Sequence, residues 1–550
     1  KKNESLFETC EKIEEIKNLE EKTYPSVKKL VEIVHRHLKR VVKDTPGELL
    51  FYFLKDSGYI HRLKEPKTAK EERQLLTPIL KRKRTRTLSG VSVIAIMTKP
   101  LPCPGNCIFC PGKDSQPEEN VAQSYTGKEP AAMRSIYCNY DPYKQVQNRI
   151  NDLEAIGHSV DKVELILMGG TFLSADLNYQ KQFVKGALEG IIENRVKSLK
   201  IAKNLAEKSK RRIVGITVET RPDYCKEDHV DQMLDYGTTR VEIGVQTIFD
   251  DIYELVQRGH TSLDSIEAIR IAKDAGLKVN LHMMPNLPGS SYSRDIESFN
   301  SLFTNPDYRP DMLKIYPCLV IKGTRLWDMW KNQEYIPYSV EKLVKLLANV
   351  KQFIPPYVRV HRIMRDIPAT LIEAGCKNSN LRQLVLHELK KSGKKCNCIR
   401  CREYGVGNRK FKFTDANFDD VKLYRQDYKA SLGEEIFLSY ENKKQGYLLG
   451  YLRLRKPSEL AHRPEINDNK TSIVREIKVV GELVPKDAKA NRLTQIQHRG
   501  YGKLLMENAE KLSKEVFDSK KIAVISGIGV RGWFYEQNYE LEGPYMTKIL

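Results

Sequence analysis

Between residues 91 and 320 six short apolar, β-rich runs recur: VSVIAIM (91–97), VELILM (163–168), RIVGITVET (212–220), RVEIGVQT (240–247), LKVNLHMMP (277–285) and DMLKIYP (311–317). Each gap between them is long enough for a crossover helix, and strands that return in parallel need such a crossover. The rhythm therefore predicts βα units in a parallel sheet, rolled into a full or partial barrel whose site lies at the C-terminal strand ends. No apolar run approaches the 18 or so residues of a membrane span, so none is expected.

A chain of 550 residues exceeds what one hydrophobic core organises, and the pattern outside the barrel changes accordingly. Residues 1–90 read as a basic helical region, with Leu30, Val34, Leu38 and Val41 at helical spacing. Within 61–90 ten Lys or Arg stand against three Asp or Glu, ending in KRKRTRT (81–87), either a solvated run or a phosphate-contacting arm. Residues 91–320 form the barrel domain, and 321–415, broken by Pro355-Pro356, a linker. From 416 to 550 an antiparallel meander is expected through EEIFLSY (434–440), YLLGYLRLR (447–455) and SIVREIKVVGEL (472–483), then a Gly-bearing loop, a helix at 501–516 and a strand at KIAVIS (521–526). The fold class is α/β multidomain. With 92 Lys and Arg against 71 Asp and Glu, the net charge of +21 points to a polyanionic partner such as nucleic acid.

The numbered chain opens without Met, on KKNESLFETC, which lacks the apolar core of a signal peptide; a cytoplasmic location is expected. Of eleven cysteines six fall in two tight groups, which in a long chain of a reducing compartment reads as metal sites. Cys103, Cys107 and Cys110 form CxxxCxxC just after the first strand. Three thiolates hold three irons of a [4Fe-4S] cube and leave the fourth iron open, whereas a structural zinc wants a fourth protein ligand. This loop, set on this strand rhythm, resembles the signature of radical S-adenosylmethionine (SAM) enzymes. The resemblance implies a partial (β/α) barrel and SAM contacts at Gly169 and Gly170 after the second strand, while Glu219, Arg221, Glu242 and Gln246 at later strand ends are expected to line the SAM or substrate pocket.

The stretch Gln497-His498-Arg499-Gly500-Tyr501-Gly502 opens the C-terminal helix, where glycines and a helix N-terminus can cradle a pyrophosphate. Its order of elements resembles the GNAT acetyltransferases, an α+β fold whose Q/R-x-x-G-x-G/A loop binds acetyl-CoA. Where that family often carries Tyr-Tyr, this chain carries Trp533-Phe534, and a shift of one residue makes Tyr535 the candidate general acid.

A radical SAM barrel joined to a GNAT domain is similar to the family of Elongator catalytic subunits, through ETRPDYC, LHMMPNLPGS, LKIYPCLVIKGT, NLRQL and LEGPYM as well as the loops above. The spacing of the first two cluster cysteines is shorter than in eukaryotic members. The resemblance implies installation of a carboxymethyl group at C5 of a tRNA wobble uridine from acetyl-CoA by a SAM-derived radical. It further implies Lys314 and Tyr316 facing substrate and thioester, binding of the tRNA anticodon stem-loop, and a homo-oligomer or Elongator-like assembly. The alternatives are a protein lysine acetyltransferase, which leaves the cysteine loop and basic arm unexplained, and an RNA-binding scaffold with a degenerate cluster, against which the intact CxxxCxxC stands.

The second group, Cys396, Cys398 and Cys401, forms CxCxxC. A tetrahedral zinc needs one more donor, from His462, His498 or Cys376; the resemblance favours His462, and a second iron–sulfur cluster is the competing reading. The expected role is to staple the linker to the acetyltransferase domain.

Overall fold

The six expected strands form as β1 (Ser92–Met97), β2 (Lys162–Met168), β3 (Arg212–Thr220), β4 (Arg240–Gln246), β5 (Lys278–Met283) and β6 (Met312–Ile315). This is a computed structural model, which describes residues 90–112, 121–404, 418–481 and 499–550. The helical and basic features of 1–89, together with Gln497 and His498, lie outside the described residues. Residues 90–147 and 161–550 belong to one compact unit.

A seventh strand, β7 (Arg359–Ile363), extends the sheet beyond the expected boundary at 320 into the segment read as a linker. All seven run parallel, in strict chain order from β1 to β7. Because no strand doubles back, every crossover turns the same way; the helices collect on one face and the sheet curls about the other. The two end strands do not pair with each other among the described residues, so the barrel is partial. Helix starts are set locally: Thr261 accepts from the Asp264 backbone N–H while the Asp264 carboxylate accepts from the Thr261 N–H.

The C-terminal sheet comprises β8 (Lys422–Ala430), β9 (Gly433–Asn442), β10 (Tyr447–Lys456), β11 (Thr471–Val479), β12 (Lys521–Val524), β13 (Glu540–Glu542) and β14 (Tyr545–Ile549). Its order is β8-β9-β10-β11-β12-β14-β13, an antiparallel meander up to β11 and a parallel step from β11 to β12. The helix Tyr501–Glu515 makes that crossover, burying Leu505, Met506 and Ala509 on a core of Leu438, Leu452, Val474 and Val524. The parallel ladder runs only from Thr471–Lys521 to Val474–Val524, while β11 continues to Val479.

The two sheets meet through buried charge. Asp311, just before β6, takes a forked pair from Arg475 at 2.6 and 2.7 Å, with Lys273 at 3.6 Å and Arg453 at 3.7 Å. Glu435 accepts from Arg475 at 2.8 Å and Arg455 at 3.0 Å, and Asp274 accepts from Arg455 at 2.6 Å. Burial alone would neutralise these carboxyls, but the facing guanidinium and ammonium groups hold Asp311 and Glu435 below their ordinary range. Backbone also meets backbone here: a Cβ on Gly527 would lie 2.4 Å from the Val214 carbonyl, so β3 and the turn after β12 touch without intervening side chains.

Candidate active site and the second cysteine group

The loop after β1 carries the first cysteine group, with all three residues partly exposed. It is tied down by backbone bonds from Ile108 N to Val256 O (3.1 Å) and from Leu326 N to Ile108 O (2.9 Å), while Ile108 and Phe109 sink into a cluster with Ile252, Leu287 and Leu326. Cys103, Cys107 and Cys110 line a cavity of about 550 Å³. The Arg258 guanidinium donates to Cys107 Sγ at 3.3 Å, and Cys110 Sγ meets Ser124 Oγ at 3.1 Å. Burial, then the neighbouring Cys107, pushes the Cys110 thiol up to about 11, so binding iron must displace its proton.

The surroundings fit a cluster with a polar cofactor beside it. Arg221 Nη1, against which a Cβ on Gly105 would clash at 1.9 Å, is buried with no hydrogen-bond partner among the described residues; so are Thr98 Oγ1 and Gln246 Oε1. Gly169 and Gly170 adopt φ of +136° and +74°, and a Cβ on Gly169 would strike Thr98 Oγ1 at 2.0 Å. Only glycine tolerates that backbone, as a tight approach to a ligand requires.

Deeper in the sheet Lys314 of β6 touches Glu242 and lies 3.4 Å from Glu219. Glu242 is 1% exposed and also engages His282 at 3.0 Å, Asn280 at 3.0 Å and Arg240 at 3.5 Å. Burial would raise the Glu242 carboxyl, yet Lys314, His282 and Arg240 hold it well below the carboxylate range; burial would lower Lys314, yet Glu242, Tyr316 and Glu219 raise it. Glu242, expected among the cofactor contacts, thus has its oxygens engaged by side chains and serves to hold the Lys314 ammonium. Tyr316 packs edge-on to His282 at 5.5 Å, and Arg365 lies 5.9 Å from the rings of both Tyr316 and Tyr125. Tyr125 in turn donates to Glu219 at 3.0 Å. His282, Arg258, Tyr125 and Arg365 were not singled out from the sequence. His282 shares with Asn280 the alternation of β5 and could have been read from it.

At the C-terminal helix Gly500 adopts φ +86°, with nothing within 4 Å of a notional Cβ, and Gly502 faces Trp533 and Val479 at 4.0 Å. Arg499 lies 5.4 Å from the Phe418 ring, and Tyr501 packs on Tyr440 at 5.2 Å. The open glycines and the helix N-terminus, beside the place where β11 outruns β12, fit a pyrophosphate. The Tyr535 hydroxyl, the candidate general acid, donates to Glu207 at 3.2 Å, and Trp533 is the aromatic beside Gly502.

Cys396, Cys398 and Cys401 bring their sulfurs within 4.8 Å of one another. Ile399 N donates to Val358 O (2.9 Å) and Tyr404 N to Leu448 O (3.0 Å), so the group bridges the approach to β7 and strand β10, the staple its position implied. His462 does not join the three sulfurs: Nε2 pairs with Asp231 at 2.9 Å, neither His462 nor Cys376 lies within the group, and His498 is outside the described residues. The choice of His462 rested on resemblance, and its loop folds toward the helix Glu227–Asp235 instead.

A curled parallel sheet with three cysteines on the loop after its first strand defines a radical SAM protein, and the model of the Radical SAM superfamily matches residues 102–302, with the Radical_SAM C-terminal domain at 310–391. Over 481 residues, 87% of this chain and 88% of the relative, it is 49% identical to a tRNA uridine(34) acetyltransferase of Methanocaldococcus jannaschii. It is 46% identical over 486 residues to Elongator complex protein 3 of Saccharomyces cerevisiae, covering 86% of each. The solved structure of archaeal Methanocaldococcus infernus Elp3, lacking residues 1–46, superposes with a TM-score of 0.73 at 43% identity, covering 84% of this chain and all of that one. The chain belongs to the Elongator protein 3 family of radical SAM proteins. No helix of the described residues is long and apolar enough to cross a membrane.

Proposed function

We propose that this chain modifies the wobble uridine of tRNA, joining a two-carbon unit from acetyl-CoA to C5 and leaving a carboxymethyl group. The observation that carries the reading is the union, in one compact unit, of the three-cysteine loop at the sheet's mouth with a C-terminal glycine loop suited to a pyrophosphate, in a chain whose relatives are named for tRNA uridine(34). When bound at Cys103, Cys107 and Cys110, a reduced [4Fe-4S] cluster supplies the electron that cleaves SAM to a carbon radical, the reagent an unactivated C–H bond calls for. The protein's part is orientation. Gly169 and Gly170 let the backbone approach SAM, and Arg221 offers its unpartnered nitrogen to an anionic group there. Lys314, kept protonated by Glu242 and Glu219, presents a proton to a carbonyl oxygen of the thioester, with Tyr316 beside it. Arg499 to Gly502 hold acetyl-CoA, and the second cysteine group holds zinc.

Anaerobic reaction of the reconstituted protein with tRNA, SAM, a reductant and acetyl-CoA, followed by mass spectrometry of the nucleosides, is expected to give 5-carboxymethyluridine and 5′-deoxyadenosine. Product without acetyl-CoA, or acetylated lysine in place of modified uridine, would sink this reading.

A further inference from the structure

Lys351, on the inner side of the helix Val340–Phe353, has no exposed surface. A buried ammonium is costly unless an anion meets it. Its Nζ donates at 3.7 Å to Cys401 Sγ, one of the three clustered sulfurs. Arg382, donating to Val360 O at 3.0 Å, brings a second cation into the neighbourhood.

On another side Cys396 and Cys401 line a cavity of about 720 Å³ together with Asn397, Arg402, Tyr424 and Phe437. The group is therefore faced by a buried charge and also reachable by a small solute.

We infer that Lys351 is the counter-cation and positioning residue of the second metal site. The inference rests on the reading that the cysteines at 396–401 bind a metal ion. Three thiolates about one divalent ion leave a single negative charge, and Lys351 cancels it inside the protein. The close spacing of the sulfurs suits one tetrahedral ion, with metal–sulfur bonds of about 2.3 Å, better than a cube whose thiolates sit on separate irons. Removing the ammonium takes away the cation that touches a sulfur and leaves Arg382, which donates to Val360 O instead, so the hold on the ion weakens and its exit through the cavity quickens.

The test uses the full chain with its iron–sulfur loop reconstituted. Zinc and iron per chain are measured by inductively coupled plasma mass spectrometry, and zinc release by the absorbance of 4-(2-pyridylazo)resorcinol. Lys351→Met is expected to release zinc about 10- to 100-fold faster than wild type, the usual cost of losing an outer partner of a metal ligand, with iron content unchanged. Lys351→Arg, which keeps the charge, is expected to stay close to wild type. Lys351→Gln, which keeps a donor and loses only the charge, is expected to behave like the Met variant. Folding with stable zinc by Arg alone among the three variants supports the proposal. Zinc release at the wild-type rate by folded Met or Gln protein overturns it. Wild-type zinc content that Cys398→Ser does not alter overturns the metal reading itself, so the two failures are told apart.

Discussion

The two cysteine groups bring three sulfurs into one neighbourhood in opposite ways. The first sits on a loop, partly exposed, with its sulfurs outside mutual 4.8 Å contact and lining a cavity; the second is clustered, with Cys398 fully buried. Each has one buried cation on one sulfur, Arg258 on Cys107 and Lys351 on Cys401. A multi-iron cofactor that must meet a substrate wants spread ligands and an open side, whereas an ion that staples two layers wants closeness and cover. Identical residue types thus take up reaction or architecture according to spacing and depth.

The largest effect should come from the exposed group and fall on chemistry alone. Cys107→Ala is expected to reduce 5′-deoxyadenosine formation to background and to empty the loop of its cluster, with the far-ultraviolet circular dichroism spectrum unchanged. The same substitution leaving the iron–sulfur absorbance intact would erase the distinction between the groups. Cys398→Ser should do the reverse: it leaves Lys351 with a poorer anion and is expected to cost about 3 kcal/mol in urea unfolding, while iron at the first loop stays wild type. Coincident loss of both metals in that variant would show the groups to be coupled.

The two cations sharpen the contrast further. Arg258 also donates to the Gly244 carbonyl at 2.7 Å and to His260 at 3.1 Å, so it fixes the sulfur as well as balancing it. Arg258→Met is expected to slow 5′-deoxyadenosine formation about tenfold and move the cluster's potential to more negative values, because a donor to a ligating sulfur favours the reduced form. An unshifted potential in a redox titration followed by electron paramagnetic resonance would make Arg258 a merely packed side chain.

Much of this was legible in the sequence because period and spacing are local. The six strands of 91–317 and the CxxxCxxC loop could be read directly, and the meander from 434 likewise. Strand β7, RVHRI, was missed because its two arginines and histidine read as exposed; Arg359 is 6% exposed because Glu403 takes it in a forked pair at 2.9 and 3.0 Å, a partner 44 residues away. Strand β8, KLYRQDYKA, was missed for the opposite reason: it is an edge strand with most side chains outside the core, and so carries no apolar alternation. Lys351 and Arg258 sit in no motif, since what makes them matter is a sulfur 50 and 151 residues distant.

The smallest expected effect concerns the ligand that resemblance supplied and the fold does not. His462 is mostly covered, but its partner Asp231 has 41% of its side chain exposed and is shared with Arg463 at 2.9 Å. A contact so placed is worth about 1 kcal/mol at most, because solvent screens one partner and Arg463 remains to hold it. His462→Ala is therefore expected to leave zinc per chain unchanged and to shift the urea midpoint only slightly. Loss of zinc in His462→Ala, at unchanged stability, would move the histidine back into the metal site and make the second group a closed four-ligand centre, narrowing its difference from a conventional structural zinc.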